Sequence, residues 1–382
     1  MDVPVNMDQF LTTQPEICYN QMVAILNLTD DPEAAIPMVF SKMDRFIKYI
    51  ITPIIASIGI AGNGAFLYAC IRVKSLRGSS ITAYLANLAV CDVLFLLSLV
   101  IWNVDKNQIS SSLPVYSIFG CAIWVISTRW WYFASIAIVT MVSVERYFAI
   151  CHPIKHRVIE QRFRTIKLLI AMWMITLLIT LTIIPRFGRL VTVCIIWPND
   201  DETFAEFLNV FTFCKPLNTF ADVYGSLISI TTLILAMVLN SCLYVNIVMA
   251  LRNRPNLSTE NAQRNRDRNQ VTRTLVATGI IFFVCQVPFR VLSIDDLLDQ
   301  NGSAGFLDSE REEVLALSIG RTFILLNSVI NPYVYVLSCK RYRKALSEAF
   351  CVKRVFSPSS RTNEDGNDVS HENYTENKNT GV

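Results

Sequence analysis

Seven long apolar stretches, separated by short polar segments, limit what this chain can fold into. They cover about residues 48–71, 81–102, 121–153, 168–185, 223–251, 271–294 and 314–337. Because an α-helix rises about 1.5 Å per residue, roughly 20 residues cross a hydrocarbon core of about 30 Å. Each stretch is close to that length, and only 17% of the 382 residues are charged. The pattern predicts an all-α membrane protein, a bundle of seven membrane-spanning helices.

Basic residues are concentrated in alternate connections. The segments after the first, third, fifth and seventh stretches are rich in lysine and arginine, whereas the first 45 residues and the remaining loops are neutral or acidic. Positively charged segments stay on the cytoplasmic side of a membrane. The N-terminus is therefore predicted outside the cell and the C-terminus inside. A net charge of only +3 argues against a nucleic-acid partner.

The chain divides into three parts. Residues 1–45 are predicted to be an extracellular N-terminal segment, residues 46–351 the helical bundle, and residues 352–382 a disordered cytoplasmic tail rich in Ser, Asn and Glu. At 339–350, Leu346, Ala349 and Phe350 share one face of a basic segment, which predicts a short amphipathic eighth helix on the lipid surface. Cys351 at its end is either a palmitoylation site or a free cytosolic thiol.

Two features are expected on the outer side. The loop at about 186–222 begins with the β-branched run RLVTVCIIWP, bounded by Gly188 and Pro198, which predicts one or two strands of a hairpin. The sequons that start at Asn27 and Asn301 both fall outside in this topology. Both asparagines are therefore predicted to be glycosylated.

Each apolar stretch carries polar or proline-containing motifs. In chain order they are Gly62-Asn63, Leu88-Ala89-Val90-Cys91-Asp92, Cys121 with Glu145-Arg146-Tyr147, Trp173, Tyr244, Phe282-Phe283-Val284-Cys285-Gln286-Val287-Pro288 and Asn331-Pro332-Tyr333-Val334-Tyr335. With these motifs in this order, residues 46–351 resemble the rhodopsin-like (class A) G-protein-coupled receptors. The resemblance implies a receptor with an extracellular ligand and a cytoplasmic heterotrimeric G-protein.

The resemblance also implies a disulfide that ties the outer loop to the third stretch. Cys121 is expected to bond to Cys194, which is preferred to Cys214 because it lies in the β-like run. The spacing Cys194-x-x-Trp197-Pro198 resembles the outer loop of peptide receptors. A second bridge between Cys18 and Cys214 is a further hypothesis.

Two groups of residues acquire expected roles from the family. Those implied in activation and G-protein coupling are Glu145, Arg146, Tyr147, Tyr244, Asn331, Pro332 and Tyr335. A second group surrounds the carboxylate of Asp92 in the middle of the membrane, and it consists of Ser135, Asn327, Ser328 and Asn331. In the family this group binds a sodium ion that favours the inactive state. The alternative is a polar network without an ion.

The predicted ligand pocket lies in the outer halves of the helices. Its residues are Trp102, Thr128, Arg129, Gln286, Arg290 and Arg321. Because buried arginines must pair, these three either accept a carboxylate, sulfate or carbonyl of the ligand or pair with acids at the helix mouths, such as Asp295 or Asp296. Thr128 occupies the position at which amine receptors carry an aspartate, which argues against a biogenic amine.

The chain departs from the family pattern at two further positions. Gln286 replaces the tryptophan of the sixth stretch, and Ala236 replaces the proline of the fifth. These changes put the usual aromatic switch and the usual bulge of the fifth helix in question.

A neuropeptide is the expected ligand, and a lipid or other non-amine small molecule is the alternative. Acidic outer loops attract a cationic ligand. A light sensor would need a lysine in the seventh stretch for the retinal Schiff base, and residues 314–337 contain none. No nucleophile or metal constellation indicates an enzyme. Receptor kinase and arrestin are expected partners of the tail, through Ser357, Ser359, Ser360 and Thr362.

Overall fold

A computed structural model of the chain describes residues 24–29, 35, 42–102, 117–154, 162–198, 204, 209–252 and 259–350. Within the helices, the side chains at 259–268, 295–300 and 310–315, and at positions 42, 44, 162, 293 and 317, are outside this description. All elements, contacts and counts given below are those of the described residues.

Eight helices make up most of the molecule, and a short helix, Lys42–Phe46, precedes the first of them. They are α1 (Ile47–Arg72), α2 (Ser80–Trp102), α3 (Ile118–Cys151), α4 (Arg162–Ile183), α5 (Thr219–Arg252), α6 (Thr259–Gln300), α7 (Glu310–Ser338) and α8 (Lys340–Ala349). By length and composition, six described helices can cross a membrane, and the bent pair of α7 and α8 brings the number to as many as seven. The predicted seven-helix bundle is confirmed.

The bundle has apolar side chains on its outer surface, and its interior holds polar side chains among buried apolar ones. Large exposed residues such as Ile54, Ile170 and Leu235 cover its outer surface, which is the arrangement that lipid stabilises because its chains are as apolar as these side chains. Buried polar groups such as Asn63 and Asn240 lie within the bundle. The fold therefore places amides, hydroxyls and carboxylates where they hydrogen-bond between helices.

Hydrogen bonds between side chains fix neighbouring helices against each other. Asn63 Nδ2 of α1 donates to the Ser328 carbonyl of α7 over 2.9 Å. Trp173 Nε1 of α4 donates to Asn87 Oδ1 of α2 over 3.0 Å. Such bonds contribute only about 0.6 kcal/mol each within a membrane, so their main effect is on the relative placement of the helices.

Three local features interrupt the described helices that carry predicted site residues. A π turn, Ile126–Trp130, lies in the outer part of α3. Pro288 lies inside α6 and Pro332 inside α7, where each removes a backbone hydrogen bond and permits a kink. All three features occur in helices that carry predicted site residues.

A three-stranded sheet stands at the outer end of the bundle. Its strands are β1 (Ala24–Asn27), β2 (Arg189–Ile196) and β3 (Val210–Lys215), in the order β1-β2-β3. β3 runs antiparallel to β2 and places Leu190 opposite Cys214, whereas β1 runs parallel to β2 and places Ile25 opposite Cys194. The predicted run is thus a single strand, its hairpin partner follows the acidic part of the loop, and β1 was not predicted.

α8 turns by about 100° from α7 and packs against the inner end of the bundle. Tyr342, Ala345 and Ala349 form its buried face, and an Arg341 terminal nitrogen donates to the Ser75 carbonyl over 3.0 Å. The short helix was expected at this place. Its position on a lipid surface stays a prediction.

Candidate functional site

The disulfide of the outer loop differs from the predicted one. Cys121, near the start of α3, is bonded to Cys214 of β3, with 5.9 Å between their Cα atoms. The predicted Cys121–Cys194 bond is therefore wrong. The β2–β3 hairpin explains the choice, because it puts Cys214 near the end of β2 that follows α4, whereas Cys194 lies at the other end, opposite Val210.

Cys194 is also disulfide-bonded. Its partner is not a described residue, since Cys121 and Cys214 bond to each other and the other described cysteines are free thiols. The hypothesis of a Cys18–Cys214 bridge is wrong because Cys214 is occupied. Cys18 itself lies outside the described residues.

Arg129 lies in the π turn of α3. A π turn adds one residue to a helical turn and is common at functional sites. The hydroxyl of Thr128 donates to the Trp124 carbonyl of its own helix over 2.8 Å. Thr128 thus satisfies its polar atom locally, whereas Arg129 extends a cation from the same turn.

Arg290 of α6 is the most deeply buried of the three predicted arginines, with 7% of its surface exposed. Its guanidinium carbon lies 4.5 Å from the centre of the Tyr132 ring and 5.3 Å from that of Phe289. Such stacking stabilises the cation through the faces of the aromatic rings. Its Nε has no hydrogen-bond partner among the described residues. One turn earlier in α6, Gln286 is 2% exposed, and its Oε1 also lacks a described partner.

The arginines of the outer half form one electrostatic cluster. Arg290, Arg186 and Arg321 all lie close enough to Arg129 to repel its charge. Arg186 Nε is paired with Asp222 Oδ1 at 2.9 Å. We call Arg129, Arg186, Arg290 and Arg321 the arginine cluster. The side chains of Asp295 and Asp296, the predicted internal partners, are outside the described part of the chain.

Trp102 takes a structural position beside the arginine cluster. Its Nε1 donates to the hydroxyl of Ser127 over 3.0 Å, and that hydroxyl donates to the Trp124 carbonyl over 3.1 Å. Trp102 thereby joins the outer end of α2 to the turn that carries Arg129. The predicted pocket residues thus come from α2, α3, α6 and α7, which meet in the outer half of the bundle.

Asp92 lies at the centre of a buried polar network between α2 and α7. The carboxylate is 1% exposed, Asn331 Nδ2 donates to its Oδ2 over 2.8 Å, and Ser328 is within hydrogen-bonding reach. Asn327 is also buried, and its Oδ1 has no partner in the described part of the chain. Ser135 is buried too, with its hydroxyl next to the Cys91 thiol.

This donor set fits a small hard cation. Carboxylate, hydroxyl and amide oxygens are the ligands that such cations prefer, and the Asn327 Oδ1 without a partner is an oxygen available for one. The structure brings Asp92, Ser328 and Asn331 together as predicted, and it places Ser135 beside the neighbouring residue Cys91.

The end of the bundle away from the sheet carries the residues that were predicted to act in coupling. Glu145 and Arg146 are partly buried near the end of α3, and the Tyr147 hydroxyl lies 3.2 Å from His152 Nε2. The Ser143 hydroxyl donates to the Tyr244 hydroxyl of α5 over 2.9 Å. Tyr244 is thereby held at Ser143, one turn farther into α3 than Arg146.

Tyr335 completes the inner site. It is buried, its ring centre is 5.5 Å from that of Phe66 and 6.0 Å from that of Tyr342, and it is within electrostatic range of Tyr244. It follows Pro332 by three residues, which is about one helical turn. Tyr335 therefore links α7 to α1 and α8.

Of the predicted modification sites, only Asn27 is described. It lies in β1, partly exposed, and its Oδ1 accepts hydrogen bonds from the Thr29 amide at 3.0 Å and from the Thr29 hydroxyl at 2.8 Å. Asn301 and Cys351 lie outside the described residues. Glycosylation and palmitoylation stay predictions.

Sequence reasoning missed several residues that shape these sites. Tyr132 supports Arg290, and its position one helical turn after Thr128 was a usable signal. Asp222 pairs with Arg186, but no spacing rule relates them because they belong to different elements. Asn240 Nδ2 of α5 donates to the Thr140 hydroxyl of α3 over 2.9 Å, and its buried place followed only from the assembled bundle.

The sequence of this chain is similar to those of known proteins over most of its length. A family model described as the 7 transmembrane receptor (rhodopsin family) matches residues 62–335. The thyrotropin-releasing hormone receptor of Mus musculus is 26% identical over 362 residues, which cover 85% of this chain and 84% of that protein. The somatostatin receptor type 2 of Sus scrofa is 23% identical over 354 residues, covering 88% and 84%. The neuromedin-U receptor 2 of Mus musculus is 28% identical over 324 residues, covering 81% and 75%.

Proposed function

Because the chain belongs to the rhodopsin family of seven-transmembrane receptors, we propose that it binds an extracellular neuropeptide and activates a heterotrimeric G-protein. The family consists of receptors and not enzymes, and its members are multi-pass proteins of the plasma membrane. The three relatives are receptors for thyrotropin-releasing hormone, somatostatin and neuromedin-U. Their names support a peptide ligand. The distribution of basic loops supports an outer N-terminus.

The arginine cluster carries the proposal about ligand chemistry. Arg186, Arg290 and Arg321 each lie within electrostatic range of Arg129, and Asp222 is a described counter-charge of Arg186. A ligand anion would therefore be stabilised at this cluster. Arg290 is the strongest single observation, because it is buried and its Nε lacks a described partner. The peptide is proposed to present a carboxylate, or an equivalent oxygen acceptor, to Arg290 and Arg129. Arg321, Gln286, Thr128 and Trp102 line the same region.

Contact at this site acts directly on α6. Arg290 lies two residues after Pro288, and Gln286 lies two residues before Pro288. A ligand that draws the Arg290 guanidinium toward α3 therefore pulls on the helix just outside its kink. Movement of α6 about Pro288 would open the inner end of the bundle for the G-protein.

The coupling residues are proposed from their position at that inner end. Arg146 would contact the G-protein after it leaves Glu145, with Tyr147 beside it. Tyr244 and Tyr335 would then pack beneath Arg146, the second through a change at Asn331 and Pro332. Receptor kinase and arrestin are proposed to act on the tail, and α8 with Cys351 to contact lipid.

A sodium ion is proposed at Asp92 as an allosteric modulator. Ser135, Asn327, Ser328 and Asn331 supply the surrounding hydroxyl and amide groups. When bound, the ion supplies positive charge that stabilises the ionised carboxylate. The residues of this chain hold the carboxylate in place, chiefly through the Asn331 amide.

The test is a screen of cells that display the receptor, with calcium and cAMP as readouts against a peptide library. For the active peptide we expect Arg290→Gln and Arg129→Ala to weaken potency by about 30-fold or more, since removing one partner of a buried charge pair costs about 2–5 kcal/mol. Arg189→Gln is the control, because Arg189 is exposed at the start of β2.

Two outcomes would contradict the proposal. Unchanged potency of Arg129→Ala and Arg290→Gln at normal surface expression would remove the arginine cluster from the ligand site. Activation by a lipid extract and by no peptide would overturn the peptide ligand. A peptide analogue whose carboxylate is amidated should lose potency on the wild type and lose little more on Arg290→Gln.

A further inference from the structure

We propose that a second extracellular disulfide joins Cys194 of β2 to Cys18 and fastens the N-terminal segment to the outer hairpin. The bond makes β1 a permanent third strand of the outer sheet. The inference does not depend on which ligand the receptor binds, and it replaces the pairing expected from the sequence.

The bonding state of the cysteines leaves two possible partners for Cys194. Cys194 is fully buried and disulfide-bonded, and no described cysteine is available to it because Cys121 bonds to Cys214 and six others are free thiols. The whole sequence contains eleven cysteines, so only Cys18 and Cys351 are left as partners.

The described elements that adjoin Cys18 and Cys351 in the chain lie at opposite ends of the bundle. Cys351 comes two residues after α8, at the end of the bundle where α7 finishes. Cys194 lies in the sheet at the opposite end, on the same loop as the bond to Cys121 at the start of α3. A helix of the length of α7 separates these ends, and that is about the thickness of a membrane.

The pairing of β1 with β2 places a residue that follows Cys18 closely in the chain next to Cys194. In the parallel register of β1 and β2, Ile25 is directly opposite Cys194. Six residues lie between Cys18 and Ile25, and at about 3.3–3.6 Å per residue they allow the chain to reverse and return to the strand. The Cα–Cα distance of about 5.5–6 Å that a disulfide needs is therefore reachable.

A covalent bond also accounts for the docking of so short a strand. β1 has four residues and pairs along one edge only, and strands this short hold weakly by themselves. A small apolar cluster assists it, in which Leu28 and Ala35 of the N-terminal segment join Ile195, Trp197, Phe204 and Phe211. A disulfide next to this cluster raises the local concentration of the segment and lowers the entropy lost on docking.

The chemistry is that of the secretory compartment. The thiols of Cys18 and Cys194 lose two electrons and two protons and form one S–S bond. A protein disulfide of that compartment accepts the electrons by thiol–disulfide exchange and is reduced to two thiols.

The decisive experiment uses the full receptor with an epitope tag at its N-terminus and a protease site inserted between residues 37 and 40. After cleavage and denaturation without reductant, the tag should stay attached to the receptor body. Addition of a phosphine reductant should release it. Release of the tag without reductant would overturn the proposal, and this result needs no cysteine substitution.

Variants and mapping identify the residues of the bond. Cys18→Ser and Cys194→Ser, singly and together, should each release the tag without reductant, whereas Cys242→Ser should keep it because Cys242 is an exposed free thiol on α5. Non-reduced peptide mapping should recover one cross-linked pair that contains Cys18 and Cys194. Alkylation of Cys18 in the intact receptor, or a Cys194–Cys351 peptide, would contradict the assignment.

Discussion

Gly279 shows how one missing side chain sets the position of a proposed activation residue. A Cβ atom at this position of α6 would overlap the Tyr244 hydroxyl and would lie 2.7 Å from its Cζ. Only glycine therefore lets the Tyr244 ring pass between α5 and α6 to reach the Ser143 hydroxyl on α3. The requirement is one of space, since the backbone of Gly279 is ordinary helix.

We expect Gly279→Ala to expel the Tyr244 ring and break its hydrogen bond to Ser143. Overpacking of this kind costs about 1–3 kcal/mol, which should appear as a lower Tm of the purified receptor. Gly64→Ala is the matched control, because a Cβ at Gly64 meets nothing within 4 Å.

A second substitution checks the cause of this loss. Tyr244→Phe removes the overlapping oxygen but keeps Cζ, so it should restore part of the Tm that Gly279→Ala loses. If the double variant is no more stable than Gly279→Ala alone, the overlap with Tyr244 is not the cause of the loss.

At the scale of elements, an aromatic contact group packs α8 against the bundle. The Tyr342 ring centre lies 5.7 Å from that of Phe66 and 6.0 Å from that of Tyr335. Burial raises the pKa of Tyr342 to about 12, so the phenol stays neutral at physiological pH. Its hydroxyl has no hydrogen-bond partner among the described residues, and packing is therefore its main contribution.

Tyr342→Ala should release α8 from the bundle, because loss of a buried aromatic side chain costs about 3–5 kcal/mol. Amide hydrogen exchange of residues 340–349 should become faster, while exchange in α2 stays unchanged. Tyr342→Phe should preserve the docking, since it keeps the ring and removes a hydroxyl without a described partner.

Lys344→Ala is the surface control, because Lys344 is exposed. Equal exchange rates in wild type and Tyr342→Ala would show that other contacts hold α8. The hydrogen bond from Arg341 to the Ser75 carbonyl would then be the next candidate.

At the scale of the whole molecule, the polar network around Asp92 joins α2 to α7 within the bundle. If sodium binds there, it should stabilise the folded receptor by mass action, by about 1.4 kcal/mol at a tenfold excess over the dissociation constant. The Tm of the wild type should rise in sodium chloride relative to the same concentration of N-methylglucamine chloride. Asp92→Asn should abolish this difference, because it removes the charge and keeps the shape.

Asp222→Asn controls for general charge effects, since Asp222 pairs with Arg186 at the outer end of the bundle. A wild-type Tm that responds equally to both salts would favour the polar network without an ion.

Much of the architecture was predictable because it depends on local pattern. Helix length, apolar content and alternate basic loops follow from the cost of exposing polar backbone to lipid, and they identified the seven spans. Motif residues such as Asp92 and Asn331 were predicted to meet, and they do. This contact joins α2 to α7, and it was expected from the family resemblance and not from local pattern.

The disulfides were not predictable in the same way. Cys194 and Cys214 both lie in β-strands, so strand propensity does not choose between them. The choice depends on the register of the hairpin and on the unpredicted strand β1, which are long-range pairings. The same limit applies to Arg290, whose stacking on Tyr132 depends on the distance between α3 and α6.

The π turn at Ile126–Trp130 has a consequence for how α3 is compared with other helices. One extra residue in a helix of 3.6 residues per turn rotates everything beyond it by about 100°. A residue outward of the turn therefore faces the direction that a regular helix, counted from Arg146, would assign to the adjacent residue. The outer third of α3, with Cys121 and Trp124, thus has an angular setting of its own, independent of the inner two thirds that carry Ser143 and Arg146.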